Sequence, residues 1–356
     1  MPKIVLTGGG TAGHVTPNLA LLPQLVKDGW EIHYIGTKDG IEKQLLQPFS
    51  YVTYHAVSAG KMRRYVDLKN LTDPFRVIGG IGQAKKILKQ VKPDVVFSKG
   101  GFVAVPVVIG AWMNKIPVVI HESDITSGLA NKIATRFAKK VCVTFPETAA
   151  EVGKKAVLTG TPIREELLLG SAQQGLAFCG FAKQQPTILV MGGSLGAVAV
   201  NNALRAALPQ MDAYNIIHLC GKGNLDGALD NLPNYKQYEY ISAELPHLFA
   251  LADGIVSRAG SNSIHEFLAV QKPALLIPLP LSASRGDQIS NAQSFAKQGF
   301  AHMLEQEKIT PQIFMQEISS LLREKNDIIN KIKAYPHSDG TRSVYNILKG
   351  YGGIQN

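Results

Sequence analysis

Lys3-Ile4-Val5-Leu6-Thr7-Gly8-Gly9-Gly10-Thr11-Ala12-Gly13-His14 opens the chain with an apolar run that stops in a glycine turn. Thr187-Ile188-Leu189-Val190-Met191-Gly192-Gly193-Ser194-Leu195-Gly196 repeats the figure about half a chain later. Stretches with helical character follow both, over 17–27 and 198–208, so each reads as strand, loop and helix. The chain thus reads as two similar halves. Between helix-like stretches, short apolar runs recur at 31–35, 94–97, 117–121, 140–144 and 156–159, then at 215–219, 254–257, 274–278 and 301–304. Runs that are apolar throughout, rather than alternating, belong to parallel strands covered by helices on both faces. The expected fold class is α/β, with two doubly wound parallel-sheet domains. Pro162, Gly170, Gly175, Gly180 and Pro186 interrupt the pattern and put the boundary within 161–185. The expected division is 1–163, 164–340 and a tail over 341–356, whose stretch 341–348 has the makings of a last helix.

Size and composition agree with this reading. The 356 residues exceed one domain, for which about 100–200 is usual. A chain 45% hydrophobic and 18% charged, with no low-complexity tract, is globular. The opening Met1-Pro2-Lys3 is too short for the charged region of a signal peptide, so a cytoplasmic protein is expected. Cys142, Cys179 and Cys220 are far apart and lack metal-ligand spacing, and are read as core thiols. The net charge of +10 fits a phosphate-rich ligand, a nucleic acid or an anionic membrane surface. The most apolar stretch, 103–119, is broken by Pro106, Trp112, Asn114, Lys115 and Pro117, so any membrane contact is peripheral.

In doubly wound sheets, ligands bind beyond the carboxyl ends of the strands, where glycine turns lead into helix N-termini. Both turns are placed there, and their backbone N–H groups suit anions. Two such loops facing each other make an expected cleft between the domains. Gly8, Gly10 and Gly13 fit the Gly-x-Gly-x-x-Gly dinucleotide pattern, a weak signal alone. A nicotinamide enzyme also wants an acid at the end of the second strand. Here Ile35-Gly36-Thr37-Lys38 stands there and Asp39 arrives late, so the dehydrogenase reading loses ground.

His14 directly follows the first loop, a candidate base near neutral pH or a helix cap. Ser194 in the second loop and Arg164 at the domain junction suit a pyrophosphate; a cap and a surface ion pair are the plainer alternatives. Arg258-Ala259-Gly260-Ser261-Asn262-Ser263-Ile264-His265-Glu266 forms another small-residue turn into a helix, with Glu266 placed for ribose hydroxyls or simply for the helix dipole. Downstream, Asp287, Gln288 and Asn291 are able to read sugar hydroxyls. No Asp-x-Asp occurs, which argues for chemistry without a bound metal, the leaving-group charge falling to backbone N–H groups, Ser194 and Arg164.

Together, the stretch from Gly8 to His14, His121-Glu122-Ser123-Asp124, Thr159-Gly160-Thr161-Pro162-Ile163-Arg164, Gly192-Gly193-Ser194 and the turn from Arg258 to Glu266 resemble the MurG family of bacterial N-acetylglucosaminyltransferases. The motifs occur in family order over nearly the whole chain. The resemblance implies the GT-B architecture and a hexosyltransferase that moves N-acetylglucosamine, with inversion, from UDP-N-acetylglucosamine to the N-acetylmuramoyl 4-hydroxyl of lipid I, giving lipid II for peptidoglycan. It implies that Thr11, Ala12, Gly13, Arg164, Ser194, Ser261, Glu266 and Gln288 bind substrate, that His14 is the candidate base, and that neither cofactor nor nucleic acid is involved. It also implies a peripheral position on the cytoplasmic face of the membrane. Asp124 departs from the asparagine that many relatives carry, which puts a donor contact there in doubt.

A membrane face has a trace in the residues too. Leu71, Phe75 and Ile78 share one helical face, and Lys61, Arg63, Arg64, Lys69, Arg76, Lys85, Lys86 and Lys89 surround it in sequence. The plainer alternative is a helix facing its own core. Two competing functions stay open: another UDP-sugar enzyme of the same architecture, such as a lipid glucosyltransferase or an epimerase, and a nucleotide-sugar sensor or dehydrogenase.

Overall fold

A computed structural model describes residues 1–60, 69–181, 184–193, 196–336 and 339–353, with backbone alone for 69–75. The chain divides into two compact units, Met1–Arg164 with Asp339–Asn356, and Glu165–Ser338.

In the first unit, strands β1 (Lys3–Thr7), β2 (Glu31–Gly36), β3 (Val52–Ala56), β4 (Val95–Ser98), β5 (Val118–Glu122), β6 (Lys140–Val143) and β7 (Ala156–Leu158) alternate with helices. These are α1 (Thr16–Lys27), α2 (Ile41–Leu46), α3 (Lys69–Val91), α4 (Ala104–Met113), α5 (Leu129–Phe137) and α6 (Pro146–Val152). The strands form one parallel sheet in the order β3-β2-β1-β4-β5-β6-β7. β1 shows why its run is apolar throughout. Ile4 and Leu6 enter one core with Leu21, Leu25 and Phe97, whereas Val5 enters another with Ile35, Val96 and Val107. A strand buried on both faces has no position to spare for a polar side chain.

The second unit repeats the plan. After α7 (Ala172–Cys179) come β8 (Thr187–Met191), α8 (Val198–Ala207), β9 (Asn215–Leu219), β10 (Tyr235–Tyr238), α9 (Leu245–Leu251), β11 (Gly254–Ser257), α10 (Ser261–Ala269), β12 (Ala274–Leu276), α11 (Asp287–Lys297), β13 (Ala301–Met303) and α12 (Pro311–Ala334). Its parallel sheet runs β10-β9-β8-β11-β12-β13. The Thr310 hydroxyl accepts from Ile313 N–H at the start of α12, with Pro311 in its first turn, a cap worth about 1 kcal/mol. Phe314, Ile318, Leu321, Ile328 and Ile332 then bury one face of that helix.

The last helix, α13 (Gly340–Lys349), returns to the first unit. Val344, Tyr345 and Leu348 join the core of Ile4 and Leu21, and the Tyr345 hydroxyl meets Asp28 and Trp30 Nε1. The Thr341 hydroxyl accepts from Ile163 N–H at 2.8 Å, and a Cβ on Gly340 would collide with the Thr161 backbone. The tail is thereby stitched to the end of the first unit. The doubly wound expectation for both halves holds, and all three cysteines are free and buried.

Candidate active site

Both sheets reverse their winding beside their first strand, between β1 and β4 and between β8 and β11. At such a point adjacent loops leave in opposite directions and open a crevice at the carboxyl ends of the strands. Each glycine turn sits at one of these points.

In the first unit the turn is clamped from below. Tyr34 OH donates to Gly8 O at 2.6 Å, and Asn18 Nδ2 donates to Thr7 O and to the Tyr34 oxygen. Glu42, fully buried, accepts from Thr37 N–H and Thr37 Oγ1 at 2.8 and 2.7 Å and from Gly10 N–H at 3.4 Å. A Cβ on Gly9 would lie 2.7 Å from this carboxyl group. Glycine is required there by space, since its φ is not positive. One N–H of the loop, that of Gly10, therefore already faces a carboxylate of the protein's own.

A second turn faces it. Lys99, Gly100 and Gly101 leave β4, with both glycines in the left-handed region. A Cβ on Gly101 would stand 3.1 Å from His14 Cδ2, and one on Gly8 would stand 3.3 Å from Lys99 Cβ. The His14 ring thus packs against the 99–101 backbone, with its Nδ1 buried and without a hydrogen-bond partner among the described residues. Burial, and secondarily the Lys99 charge, pulls its pKa down to about 4, so the imidazole is neutral at physiological pH.

Lys99 is itself buried and donates to Ser123 Oγ at 2.8 Å. Burial lowers its pKa to about 8, against the opposing pull of Glu122 and Asp124. Glu122 accepts from Asp124 N–H, Gly128 N–H and Asn131 Nδ2. Burial raises its pKa despite these bonds. His121, also buried, donates from Nε2 to Gly160 O at 2.9 Å and so joins β5 to the segment that leads to Arg164.

In the second unit the turn is open. Gly192, Gly193, Gly196, Ala197, Val198, Ser257, Arg258, Gly260, Ser263, Leu279 and Gln288 line a cleft of about 430 Å³. Gly193 and Gly196 have positive φ, and a Cβ on Gly193 would meet nothing. Asn201 Nδ2 donates to Cys220 O, and His218 bridges Asn201 Oδ1 and Tyr235 OH at 2.9 and 2.7 Å. This network fixes α8 behind the turn. Arg258 is held across the mouth by Ile277 O, Pro278 O and Gln306 Oε1.

The sequence-derived residues are distributed unevenly. Thr11, Ala12, Gly13 and His14 form the first unit's loop, with Thr16 Oγ1 donating to Ala12 O. Gln288, whose Oε1 accepts from Leu279 N–H, lines the second unit's cleft. Ser261, buried at the head of α10, and Glu266 in its second turn are not among the cleft-lining residues. Arg164 ends the first segment of the first unit, its Nε buried without a hydrogen-bond partner among the described residues. Ser194 lies outside the described residues. Glu42, Lys99, Ser123 and Asn131 are additions from the structure. Gly100-Gly101 directly after an apolar run was a legible signal for part of them.

The chain matches the glycosyltransferase family 28 N-terminal domain over residues 4–143 and the glycosyltransferase family 28 C-terminal domain over 187–346. It is 52% identical over 356 residues, 99% of each chain, to the Clostridium tetani UDP-N-acetylglucosamine--N-acetylmuramyl-(pentapeptide) pyrophosphoryl-undecaprenol N-acetylglucosamine transferase. Among solved structures it resembles Acinetobacter baumannii MurG, with TM-score 0.79, 28% identity and coverage of 98% of this chain and 100% of that one. The Neisseria meningitidis UDP-GlcNAc 2-epimerase shares the fold at TM-score 0.68 with 13% identity, covering 98% of this chain and 100% of that one.

Proposed function

The chain belongs to glycosyltransferase family 28, and from that premise we propose that it transfers N-acetylglucosamine from UDP-N-acetylglucosamine to the lipid-linked N-acetylmuramoyl-pentapeptide acceptor, lipid I, giving lipid II. The observation that carries this is 52% identity along the full length of a relative named for that reaction. The epimerase alternative has only fold-level likeness behind it. The test is to incubate the protein with UDP-N-acetylglucosamine and a lipid I analogue and to identify the products. UDP with a β-1,4-linked disaccharide is expected; a free 2-epimer, or hydrolysis without a disaccharide, would sink the reading.

Each unit has a part in the chemistry. The second unit's cleft takes UDP, with its open turn toward the pyrophosphate and Gln288, Glu266 and Ser261 serving the nucleoside and sugar. Ser194 and Arg164 take the charge that grows on the leaving group, an interaction that strengthens as the glycosidic bond breaks. Thr11, Ala12 and Gly13 border the transferred sugar. His14 removes the proton of the acceptor 4-hydroxyl, which then attacks the anomeric carbon from the face opposite UDP and inverts it. A neutral imidazole suits that task, because only the unprotonated form accepts a proton.

The acceptor's polyprenyl tail requires a membrane face. Among the described residues no helix is long and apolar enough to cross a membrane. The side chains of Leu71 and Phe75, and the basic residues Lys61, Arg63 and Arg64, lie outside the described residues. Ile78 on α3 is 65% exposed, Trp112 on α4 is 56% exposed, and Met113 is also exposed. α3 and α4 pack through Gly110 against Ala84 and Lys85, next to exposed Lys86 and Lys89. Aromatic and aliphatic side chains beside lysines suit an anionic bilayer surface. The cytoplasmic, peripheral position is part of this proposal, and nucleic acid has no role in it.

A further inference from the structure

Gly8, Gly10 and Gly13 after β1 give the first unit the Gly-x-Gly-x-x-Gly spacing of a dinucleotide-binding turn, yet the reaction as described puts no phosphate there. In a dinucleotide-binding unit the N–H groups of the turn receive a pyrophosphate, and an acid at the end of the second strand receives ribose hydroxyls. Here the acid is turned inward. Glu42, in the first turn of α2, is 0% exposed, and three glycines make its room. A Cβ on Gly9 would lie 2.7 to 2.9 Å from its carboxyl atoms, one on Gly36 would lie 2.7 Å from its Cγ, and one on Gly40 would overlap the carboxyl group itself. Its three hydrogen-bond donors, Thr37 N–H, Thr37 Oγ1 and Gly10 N–H, carry no charge. A carboxylate buried without a cation is costly, and an amide oxygen would serve equally to link Thr37 to Gly10. What the carboxylate adds is negative charge directly behind the turn. The front stays open, since Gly10 and Thr11 are exposed.

We propose that Glu42 is a specificity-determining residue, its charge closing the first turn to phosphate and leaving it to the uncharged hydroxyls of a sugar. The pyrophosphate of UDP-N-acetylglucosamine is thereby confined to the second unit's turn, whose cleft has no carboxylate among its lining residues. This rests on that cleft being the UDP site. The chemistry of the two ligands makes the selection. A hydroxyl group accepts from an N–H and also donates, so it tolerates a nearby carboxylate, whereas a phosphate only accepts and brings negative charge of its own. One unit of like charge within several ångströms, shielded from bulk water, costs an anion about tenfold or more in affinity.

The test is amide hydrogen exchange of the full chain against increasing inorganic pyrophosphate, read at both turns. In the parent, Gly192 and Gly193 should gain protection while Gly8, Gly9 and Gly10 exchange as they do without the anion. Glu42→Gln and Glu42→Met remove the charge at nearly constant size, and Glu42→Asp keeps it. Both neutral variants should acquire protection over 8–10, at a pyrophosphate concentration about tenfold or more below any that affects the parent's first turn; Glu42→Asp should not. Loss of a merely structural prop would speed exchange over 8–10 with no dependence on pyrophosphate. Protection of 8–10 in the parent overturns the proposal, and so do folded neutral variants that gain none. Should a neutral side chain unfold the turn, the parent's exchange decides alone. Pyrophosphate that fails to protect Gly192 and Gly193 overturns instead the placing of UDP in the second unit, whatever Glu42 does.

Discussion

The two glycine turns look alike in sequence and differ in what fills them. Both follow a buried parallel strand, and both sit where their sheet reverses its winding. Behind the first stands Glu42, whose carboxylate takes the Gly10 N–H and the space that a Cβ on Gly9 would need. Before the second is a cleft of about 430 Å³ without a carboxylate among its lining residues. A negative charge under one loop discourages a second anion there, while the other retains the pull of its N–H groups. On the proposed reading, the same strand–loop–helix unit serves proton transfer in one half and phosphate binding in the other.

The largest effect should come from the first loop's imidazole. His14→Ala is expected to lower kcat by about 10²–10⁴-fold with UDP affinity unchanged by calorimetry. Equal loss of both would make His14 structural and erase the contrast. In the parent enzyme the acid limb of kcat/KM should centre near the lowered imidazole value of about 4. A limb near the ordinary histidine range would contradict the buried setting.

Next is the leaving-group charge. Arg164→Ala should cost on the order of a hundredfold in kcat and less in donor affinity, read by steady-state kinetics beside UDP titration. Activity should survive EDTA. Complete loss restored by magnesium would move the phosphate charge onto a metal.

The reasons for glycine can be separated by stability. Gly9→Ala drives a methyl group into the Glu42 carboxylate and should cost about 2 kcal/mol or more in urea unfolding, through the buried bonds it breaks. Gly193→Ala meets no atom and should cost about 1 kcal/mol, from its φ of 82° alone. The reverse order would mean that Glu42 does not fill the first loop as described.

The smallest effect concerns the surface. Ile78→Ser with Trp112→Ser should weaken binding to anionic vesicles, in which each nearby Lys contributes roughly 1 kcal/mol at low salt, and should spare activity on a short soluble acceptor. Vesicle binding like the parent's would place the membrane face elsewhere.

The interior strands were legible because burial on both faces leaves a continuous apolar run. β3 and β10 were not, since each is an edge strand with mixed exposure, and Thr53, His55, Lys236 and Gln237 break the run. His14 and Gln288 were legible as polar residues at glycine turns or helix starts. Glu42 was not, because what makes it matter is a contact 32 residues away with Gly10. Lys99 reads in sequence as one more basic residue, and only its burial among other charges sets it apart.

The contrast between the loops is tested most directly by hydrogen exchange of the full chain with and without saturating UDP, which carries the pyrophosphate and lacks the sugar. Protection should appear around Gly192, Gly193 and 196–198 and at 257–263, with Gly8, Gly9 and Gly10 exchanging as in the free protein. Equal protection at both loops would contradict the account, since it would mean that the Glu42 carboxylate does not keep phosphate out of the first.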